Sequence, residues 1–287
     1  MEKNSQARLM QIASMAIFGT LGLFVRHINL SSGALALCRA VLAAGIIGLF
    51  LLITRRGIPF RSIRRELPLL LLSGAALGIN WMLLFEAYRY TTVSSATLSY
   101  YFAPMIVVLA GCVLFREKIT GKQALCFLMS SLGMVLITVS GEGSGSAGYL
   151  GIVLGLGAAC FYAAVILLNK FIRNVTGLHR TFLQFLAAIG VLIPYVAMNG
   201  GPGLSGLDAA GWWNLLIVGV VHTGITYFLY FSSLKDLPGQ QAAILSYIDP
   251  LVAVAVSVAV LGEPLAPMQA LGGAMVLGFT LWNEYNA

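Results

Sequence analysis

Long apolar stretches recur ten times along the chain, and short segments that hold most of the charged residues separate them. Each stretch has about the 17–25 residues that a helix needs to cross a bilayer. None shows the alternation of apolar and polar positions that marks a membrane-spanning strand. The pattern predicts ten transmembrane helices, spans 1 to 10, at residues 10–28, 33–53, 68–89, 93–115, 122–140, 149–170, 180–198, 211–231, 240–261 and 267–284.

The composition is typical of a chain whose solvent is lipid. Of its 287 residues, 59% are hydrophobic and 9% are charged, whereas a soluble domain carries about 25% charged residues. Frequent Gly, Ser and Ala within the spans favour close helix packing in lipid. Span 1 is longer than the apolar part of a signal peptide and no A-x-A site follows it, so we expect it in the mature protein. The predicted fold class is all-α integral membrane, with membrane lipid as a partner.

The charge distribution predicts the orientation of the helices. If the N-terminus lies inside, the loops on that side hold most of the 17 Lys and Arg residues, as the positive-inside rule requires. The exceptions are Arg26 and Arg89 outside and Arg39 within span 2. We therefore expect a multi-pass protein of the cytoplasmic membrane with both termini in the cytoplasm, and no nucleic-acid partner. A dedicated anionic-lipid site at residues 55–65 is the less favoured explanation of the densest basic cluster.

Cysteine and histidine give no sign of a cofactor. The four cysteines fall within spans at no paired spacing, so neither a disulfide framework nor a metal site is predicted. We interpret them as packing residues and expect no cofactor.

The second half of the chain repeats the first. Shifting one half onto the other aligns "GINWMLLFEAYRY" (78–90) with "GITYFLYFSSLKD" (224–236) without a gap. The same shift pairs Tyr101 with Tyr247, Pro104 with Pro250, Glu117 with Glu263, and Gln123 with Gln269. Matching Pro, Glu and Gln at one fixed offset is hard to obtain from apolar composition alone.

We assign residues 1–140 to the first five-helix repeat, 141–148 to a Gly/Ser-rich linker, and 149–287 to the second five-helix repeat. An odd number of helices in each copy places the second copy upside down in the membrane. Inverted repeats are the architecture of secondary transporters, whose solute site lies near the midplane between the copies. A duplicated scaffold without a cavity is the alternative.

Four segments resemble the drug/metabolite transporter superfamily, specifically the ten-helix EamA-type exporters: "IFGTLGLFVRHI" (17–28), "LCRAVLAA" (37–44), "SATLSYYFAPMIVVLAGCVLFREKIT" (95–120) and "AAILSYIDPLVAVAVSVAVLGEPLAPMQALGGAMVLGF" (242–279). The resemblance covers essentially the whole chain. It implies a transporter of ten helices and leaves the substrate open, because members carry amino acids, organic cations, sugars and other metabolites. The family often has Trp before the Gly of helix 1, where this chain has Phe18.

Two prolines at matching places mark candidate helix breaks. Pro104 and Pro250 lie near the middle of spans 4 and 9, and each lacks an N–H and crowds the carbonyl four residues back. Interrupted helices at corresponding places of two halves are the best sequence indication of a transporter's site. The alternative is a pair of ordinary kinks that shape packing.

Asp249 is the acid of span 9, and it precedes Pro250. Asp-Pro is the sequence of a helix N-cap followed by the first helical residue, so the carboxylate could cap a half-helix at Leu251 or Val252. The first repeat has Ala103 at this place, so the break does not require an acid. A carboxylate inside a membrane could instead bind a proton or a substrate ammonium group. Both interpretations remain open from the sequence.

Arg39 and His222 are the other candidate coupling residues. His222 lies at a depth similar to that of Asp249, and Arg39 lies shallower by a helical turn or more. An Arg39–Asp249 ion pair is possible from these depths but not required by them. His222 titrates near neutral pH when unperturbed, and the alternative is a packed, hydrogen-bonded residue.

Aromatic and polar residues at related depths complete the candidate site. Tyr and Trp at mid-depth need hydrogen-bond partners, so they suit the wall of a polar or amine-binding cavity better than the many Phe residues do. Packing and headgroup belts are the alternative. With Asp249, the predicted substrate-binding residues are Asn80, Trp81, Tyr101, Tyr162, Tyr227 and Tyr247.

These observations predict a secondary active transporter. By the resemblance, we expect it to export a small metabolite, amino acid or drug-like compound by alternating access, as a monomer or homodimer. Proton coupling through Asp249, and through His222 or Arg39, is a hypothesis. The alternative is an integral-membrane enzyme acting on a lipid or prenyl substrate. It is disfavoured because the sequence has no H-E-x-x-H, no paired acidic metal motif and no Gly-rich phosphate loop.

Overall fold

A computed structural model describes residues 2–55, 63–115, 120–140, 146–175, 177–233, 237 and 245–285. Among these residues no β-strand occurs, and helices form most of the chain. Their bounds are α1 Glu2–Gly19, α2 Leu21–Val25, α3 Ser32–Ile53, α4 Leu67–Tyr90, α5 Val93–Tyr100, α6 Ala103–Phe115, α7 Gly121–Ser140, α8 Ser146–Phe171, α9 Gly177–Met198, α10 Ala209–Leu216, a π-helical segment Ile217–Ile225, α11 Thr226–Ser233, α12 Ile248–Ala259 and α13 Pro267–Tyr285.

Seven stretches of the described chain are long and apolar enough to cross a membrane. They are Ser5–Val25, Ser32–Ile53, Leu67–Tyr90, Val93–Gly111, Gly148–Phe171, Gly177–Met198 and Ala209–Tyr230, and Gly121–Ile137 and Ile248–Ala259 are shorter apolar helices. The prediction of an all-α chain built from apolar spans is confirmed over the described residues. The length of these stretches follows from the thickness of the bilayer core, about 30 Å.

Helix α8 begins at Ser146, so the last three residues of the predicted linker are helical. Residues 141–145 of that linker lie outside the described residues, as do Glu117 and the start of span 9 at 240–244.

Span 8 contains a π-helix between α10 and α11. Its wide turns, with bonds reaching five residues back, suit two hydroxyl groups. Thr223 donates to the Val218 carbonyl at 2.9 Å, and Thr226 donates to the Val221 carbonyl at 2.7 Å. This segment packs so closely against α3 that a Cβ at Gly219 would collide with Leu42.

Helix α4 lies at the centre of the bundle and packs against α3, α8 and α9. Its buried residues include Trp81 and Phe85, which join side chains of α3 and α9 in the largest apolar core. Helices in lipid associate through close van der Waals contact rather than through the hydrophobic effect, and these buried aromatic side chains provide such contact.

Polar contacts between loops define the two ends of the bundle. Arg26, which follows α2, contacts the Thr91 carbonyl and Glu263; we call this end the Arg26 face. At the opposite end, the Glu66 carboxylate accepts hydrogen bonds from the backbone N–H groups of Arg173 and Asn174 at 3.0 Å; we call it the Glu66 face. Helix α4 runs from the Glu66 face to the Arg26 face.

Helices α7 and α13 cross at two glycines, one from each half of the chain. A Cβ at Gly272 would lie 2.5 Å from the Gly133 carbonyl oxygen, and a Cβ at Gly133 would lie 2.6 Å from the Gly272 carbonyl oxygen. The backbones therefore touch, and no larger residue fits without separating the helices.

We expect Gly272→Ala to lower the thermal midpoint of the detergent-solubilised protein. Forcing a methyl group into a filled contact costs about 1–3 kcal/mol. Gly278→Ala in the same helix is the matched control, because a Cβ there meets nothing within 4 Å and Ala is the better helix former by about 0.5–1 kcal/mol. Equal midpoints for the two variants would contradict the crossing.

Candidate solute-binding site

A central cavity of about 410 Å³ lies between helices of both halves of the chain. Its walls come from α1, α2, α3, α4, α5, α6, α8, α11 and α12. All seven predicted substrate-binding residues line it: Asn80, Trp81, Tyr101, Tyr162, Tyr227, Tyr247 and Asp249. Arg39 and Pro104 line it too, whereas His222 and Pro250 do not.

Breaks in spans 4 and 9 bring residues of the two repeats together. The helix of span 4 is interrupted at residues 101–102, and that of span 9 at residue 247. Pro104 and Pro250 lie in the first turns of α6 and α12, where an absent N–H costs little because no intrahelical acceptor waits for it. The Phe102 carbonyl accepts the N–H groups of Met105 and Ile106 instead.

Asp249 is held at the junction of the two broken helices. The Tyr101 hydroxyl donates a hydrogen bond of 2.6 Å to Asp249 Oδ2, and both side chains face the central cavity. Oδ1 has no hydrogen-bond partner among the described residues, so it is available to a solute.

The N-cap interpretation of Asp249 is corrected by the helix bounds. Helix α12 begins at Ile248 with Tyr247 in the cap position, so Asp249 is the second helical residue. The Leu251 N–H is bound to the Tyr247 carbonyl at 3.4 Å. The helix starts two residues earlier than the Asp-Pro pattern suggests, because the first-turn N–H groups have no intrahelical acceptor and a proline is tolerated there. Ala103 occupies the matching place of the first repeat and also lines the cavity.

Arg39 reaches the cavity from α3 and is 3% exposed. Its Nε donates to Thr223 Oγ1 of the π-helix at 2.7 Å, and its guanidinium carbon lies 4.6 Å from the centre of the Trp81 ring. Stacking on an aromatic face stabilises a desolvated guanidinium. No ion pair joins Arg39 to Asp249 among the described residues, so the guanidinium and the carboxyl group line the cavity without contacting each other directly.

Asn80 contributes a polar atom without a partner. Its Nδ2 donates to the Ala158 carbonyl at 2.7 Å, which fixes the side chain between α4 and α8. Its Oδ1 is buried and unbonded in the described structure, and the residue lines the central cavity. A buried acceptor without a donor costs about 1–3 kcal/mol, which a solute N–H group would recover.

Aromatic rings form much of the remaining wall. The rings of Tyr100 and Tyr162 lie 5.3 Å apart, and those of Tyr101 and Tyr247 lie 6.5 Å apart. Tyr100, a further mid-depth aromatic that the sequence marks as a candidate for the wall, lines the cavity too, whereas Tyr88 and Tyr230 line it without having been predicted. Helical spacing contained the missing indication, because Tyr88 follows Trp81 by two turns and Tyr230 follows Tyr227 by three residues.

His222 lies outside the central cavity and is 1% exposed. Its Nε2 is 2.9 Å from Thr20 Oγ1, and its ring centre lies 4.9 Å from that of Phe24. The structure therefore supports the packed, hydrogen-bonded interpretation of His222. Residue counting had given its depth but not the side of the helix on which it lies.

The EamA-like transporter family matches residues 6–139 and 149–283. The chain belongs to this family. Two copies of the EamA domain agree with the predicted ten-helix membrane fold, and the resemblance to the drug/metabolite transporter superfamily is confirmed.

Three relatives illustrate the similarity of this EamA chain to other proteins. The uncharacterized transporter YxxF of Bacillus subtilis is 32% identical over 278 residues, 96% of this chain and 88% of the relative. An uncharacterized transporter of Archaeoglobus fulgidus is 32% identical over 202 residues, 69% of this chain and 70% of the relative. Protein RarD of Streptomyces exfoliatus is 26% identical over 248 residues, 83% of this chain and 75% of the relative.

A crystal structure shares the fold of this EamA protein. It superposes with a TM-score of 0.65 at 16% sequence identity and covers 96% of this chain and 95% of its own. Family and relatives together identify a multi-pass membrane transporter.

We expect Thr223→Val to lower the thermal midpoint more than Thr226→Val does. Both hydroxyls are buried and both bond five residues back, but Thr223 also accepts from Arg39. Its removal leaves a buried charged donor unsatisfied, which costs about 1–3 kcal/mol beyond the shared loss. Differential scanning fluorimetry of the purified variants makes the comparison, and a larger loss in Thr226→Val would contradict it.

Proposed function

We propose that this protein is a secondary active transporter that exports an amino-acid-like zwitterion across the cytoplasmic membrane by alternating access. The observation that carries the proposal is one cavity, at the broken helices of both repeats, that presents Asp249 and Arg39 without an ion pair between them. A site near the junction of inverted repeats is where secondary transporters bind their solutes.

The two charges suit the two ends of a zwitterion. Asp249 Oδ1 and Asn80 Oδ1 are acceptors for an ammonium group, and the unused guanidinium N–H groups of Arg39 are donors for a carboxylate. A volume of about 410 Å³ lies in the range of small-molecule sites. The tyrosine walls offer an apolar surface with polar edges to the remainder of the solute.

Proton coupling follows because Asp249 can bind either a proton or the solute ammonium group, but not both at once. The charged carboxylate attracts a solute ammonium group, and the protonated carboxyl does not. A proton that binds Asp249 on one side of the membrane thus displaces the solute, and loss of that proton on the other side restores the site. His222 takes no part in this scheme, since it lies outside the cavity.

The positive-inside rule supports an orientation with the Glu66 face in the cytoplasm. The described residues at that face include Arg55, Arg64, Arg65, Arg173 and Arg180, and the Arg26 face holds Arg26 and Arg89. Both termini then lie in the cytoplasm, and the Arg26 face is external.

We expect Asp249→Asn to lose transport that an imposed pH gradient drives in proteoliposomes. The amide keeps the size of the carboxyl and can still meet the Tyr101 hydroxyl, but it cannot carry a proton between the two sides. Uptake should fall to the level of protein-free liposomes, while the wild type follows the gradient.

Asp208→Asn is the matched control for this experiment. Asp208 caps α10 through a 2.7 Å bond from the Gly211 N–H, and Asn caps a helix about as well. It does not line the central cavity, so coupled transport should persist. Full coupled activity in Asp249→Asn, or a wild type indifferent to the gradient, would exclude Asp249 as the coupling residue.

We expect neutral L-amino acids to raise the thermal midpoint of the purified protein, and their N-acetyl and amide derivatives to do so less. A ligand at 100 times its Kd stabilises the folded state by about 2.7 kcal/mol, and each derivative removes one of the two charges. Equal shifts from an amino acid and its amide would show that Arg39 does not bind a carboxylate. Product formation from a lipid or prenyl substrate without solute flux would favour an enzyme instead.

A further inference from the structure

A second cavity of about 480 Å³ opens at the Arg26 face, and we call it the Arg26-face cavity. Its polar lining includes Arg26, His27, Ser32 and Arg89. Tyr88 lines both this cavity and the central cavity, and it is the residue common to their described walls. The two cavities therefore meet at the Tyr88 side chain.

Tyr88 separates the cavities as a packed and tethered ring. It is 6% exposed, and its hydroxyl lies 3.4 Å from Thr97 Oγ1 across the gap between α4 and α5. Thr97 itself lines the central cavity. A single aromatic side chain with one weak tether can rotate between rotamers, whereas a wall of backbone cannot.

Three connections are tied together beside Tyr88. Arg26 Nη1 forms an ion pair of 2.6 Å with Glu263 Oε1, and Arg26 Nη2 donates to the Thr91 carbonyl at 2.6 Å. Glu263 Oε2 accepts from the Val93 N–H at 2.8 Å and from the Ser257 hydroxyl. The network thus joins the end of α2, the α4–α5 connection and the segment after α12.

The Arg26–Glu263 pair differs from an ordinary surface ion pair because its carboxylate is buried. The side chain of Glu263 is 7% exposed and that of Arg26 is 33% exposed, so separating them leaves a buried carboxylate. Surface pairs contribute little, but removing Arg26 has a large effect because it leaves the buried Glu263 carboxylate without its counter-ion. Arg26 belongs to the first repeat and Glu263 to the second, so the ion pair holds the two repeats together at this end of the bundle.

We propose that the central cavity and the Arg26-face cavity are two parts of one solute path, that Tyr88 is the gate between them, and that the Arg26–Glu263 pair is the latch that keeps the gate shut. This inference rests on the proposed transport function. Opening the path toward the Arg26 face then requires the latch to break and Tyr88 to leave Thr97. The solute that leaves the central cavity crosses the Arg26-face cavity on its way out.

The test measures access to the central cavity with a membrane-impermeant maleimide and needs no substrate. The four native cysteines are replaced by alanine, and Ala103→Cys places a thiol in the central cavity. Right-side-out and inside-out vesicles are labelled separately. Asn29→Cys, at a position exposed in the Arg26-face cavity, shows which vesicles present that face to the reagent.

We expect Glu263→Gln and Arg26→Gln, each combined with Ala103→Cys, to raise the labelling rate of the introduced thiol from the Arg26 face by about tenfold, the population change that corresponds to 1.4 kcal/mol. Arg26→Lys keeps a cation beside Glu263, so it should label nearly as slowly as the parent. Slow labelling of this variant would show that a substitution at position 26 does not by itself disturb the fold enough to expose the thiol. Arg89→Gln is the matched control. Arg89 lines the same cavity, but it pairs with Glu86 of its own helix at 3.3 Å and links no connections.

Unchanged labelling in both folded latch variants would overturn the proposal, and so would an equal rise in Arg89→Gln. Folding is checked by a monodisperse elution profile in detergent. A tenfold rise in a protein that transports no zwitterion would support the path and reject the proposed function, whereas coupled transport with unchanged labelling would do the reverse.

Discussion

A charged group within a lipid-embedded helix bundle must find its partners inside the protein, and this constraint organises the structure. Asp249 is met by a tyrosine from the opposite repeat, and Arg39 by a threonine of the π-helix and the face of Trp81. Glu263 is met by Arg26 from the other half of the chain. Each of these groups thus has a partner across an interface between elements, so each also fixes how those elements pack.

The irregular backbone segments lie where they bring hydrogen-bond partners to these charged side chains. The interruptions at residues 101–102 and 247 place Tyr101 beside Asp249, and the π-helix presents Thr223 to Arg39. Non-helical backbone at this depth is tolerated when it lines a cavity or is buried in protein. The regular helices α4, α8 and α9 supply the rigid packing around it, so a precise site coexists with locally unusual geometry.

The sequence predicted the helical spans because apolar stretches of bilayer length mark them. It predicted the residues around the cavity because polar residues, aromatic residues and prolines recur at matching depths of the two repeats. It did not predict that His222 lies away from the cavity, because residue counting gives depth along a helix and a π-helix changes the rotation about its axis. The contact between Arg26 and Glu263 was not predicted, because it joins positions far apart in the chain. The cap position of α12 was missed because proline fits several positions of a first turn.

The cavity wall carries a methyl group at Ala103 and a carboxylate at the equivalent place of the second repeat, Asp249. Two of the four alanine codons differ from an aspartate codon by a single base. Once a gene has been duplicated and fused, one point mutation in one copy is therefore enough to give the cavity wall a carboxyl group that the other copy lacks. Neither helix break needs to change for this to happen, since the prolines that accompany the breaks are shared by both copies. A family with this architecture can acquire new cargo by substitutions at a few wall positions while its scaffold is inherited intact.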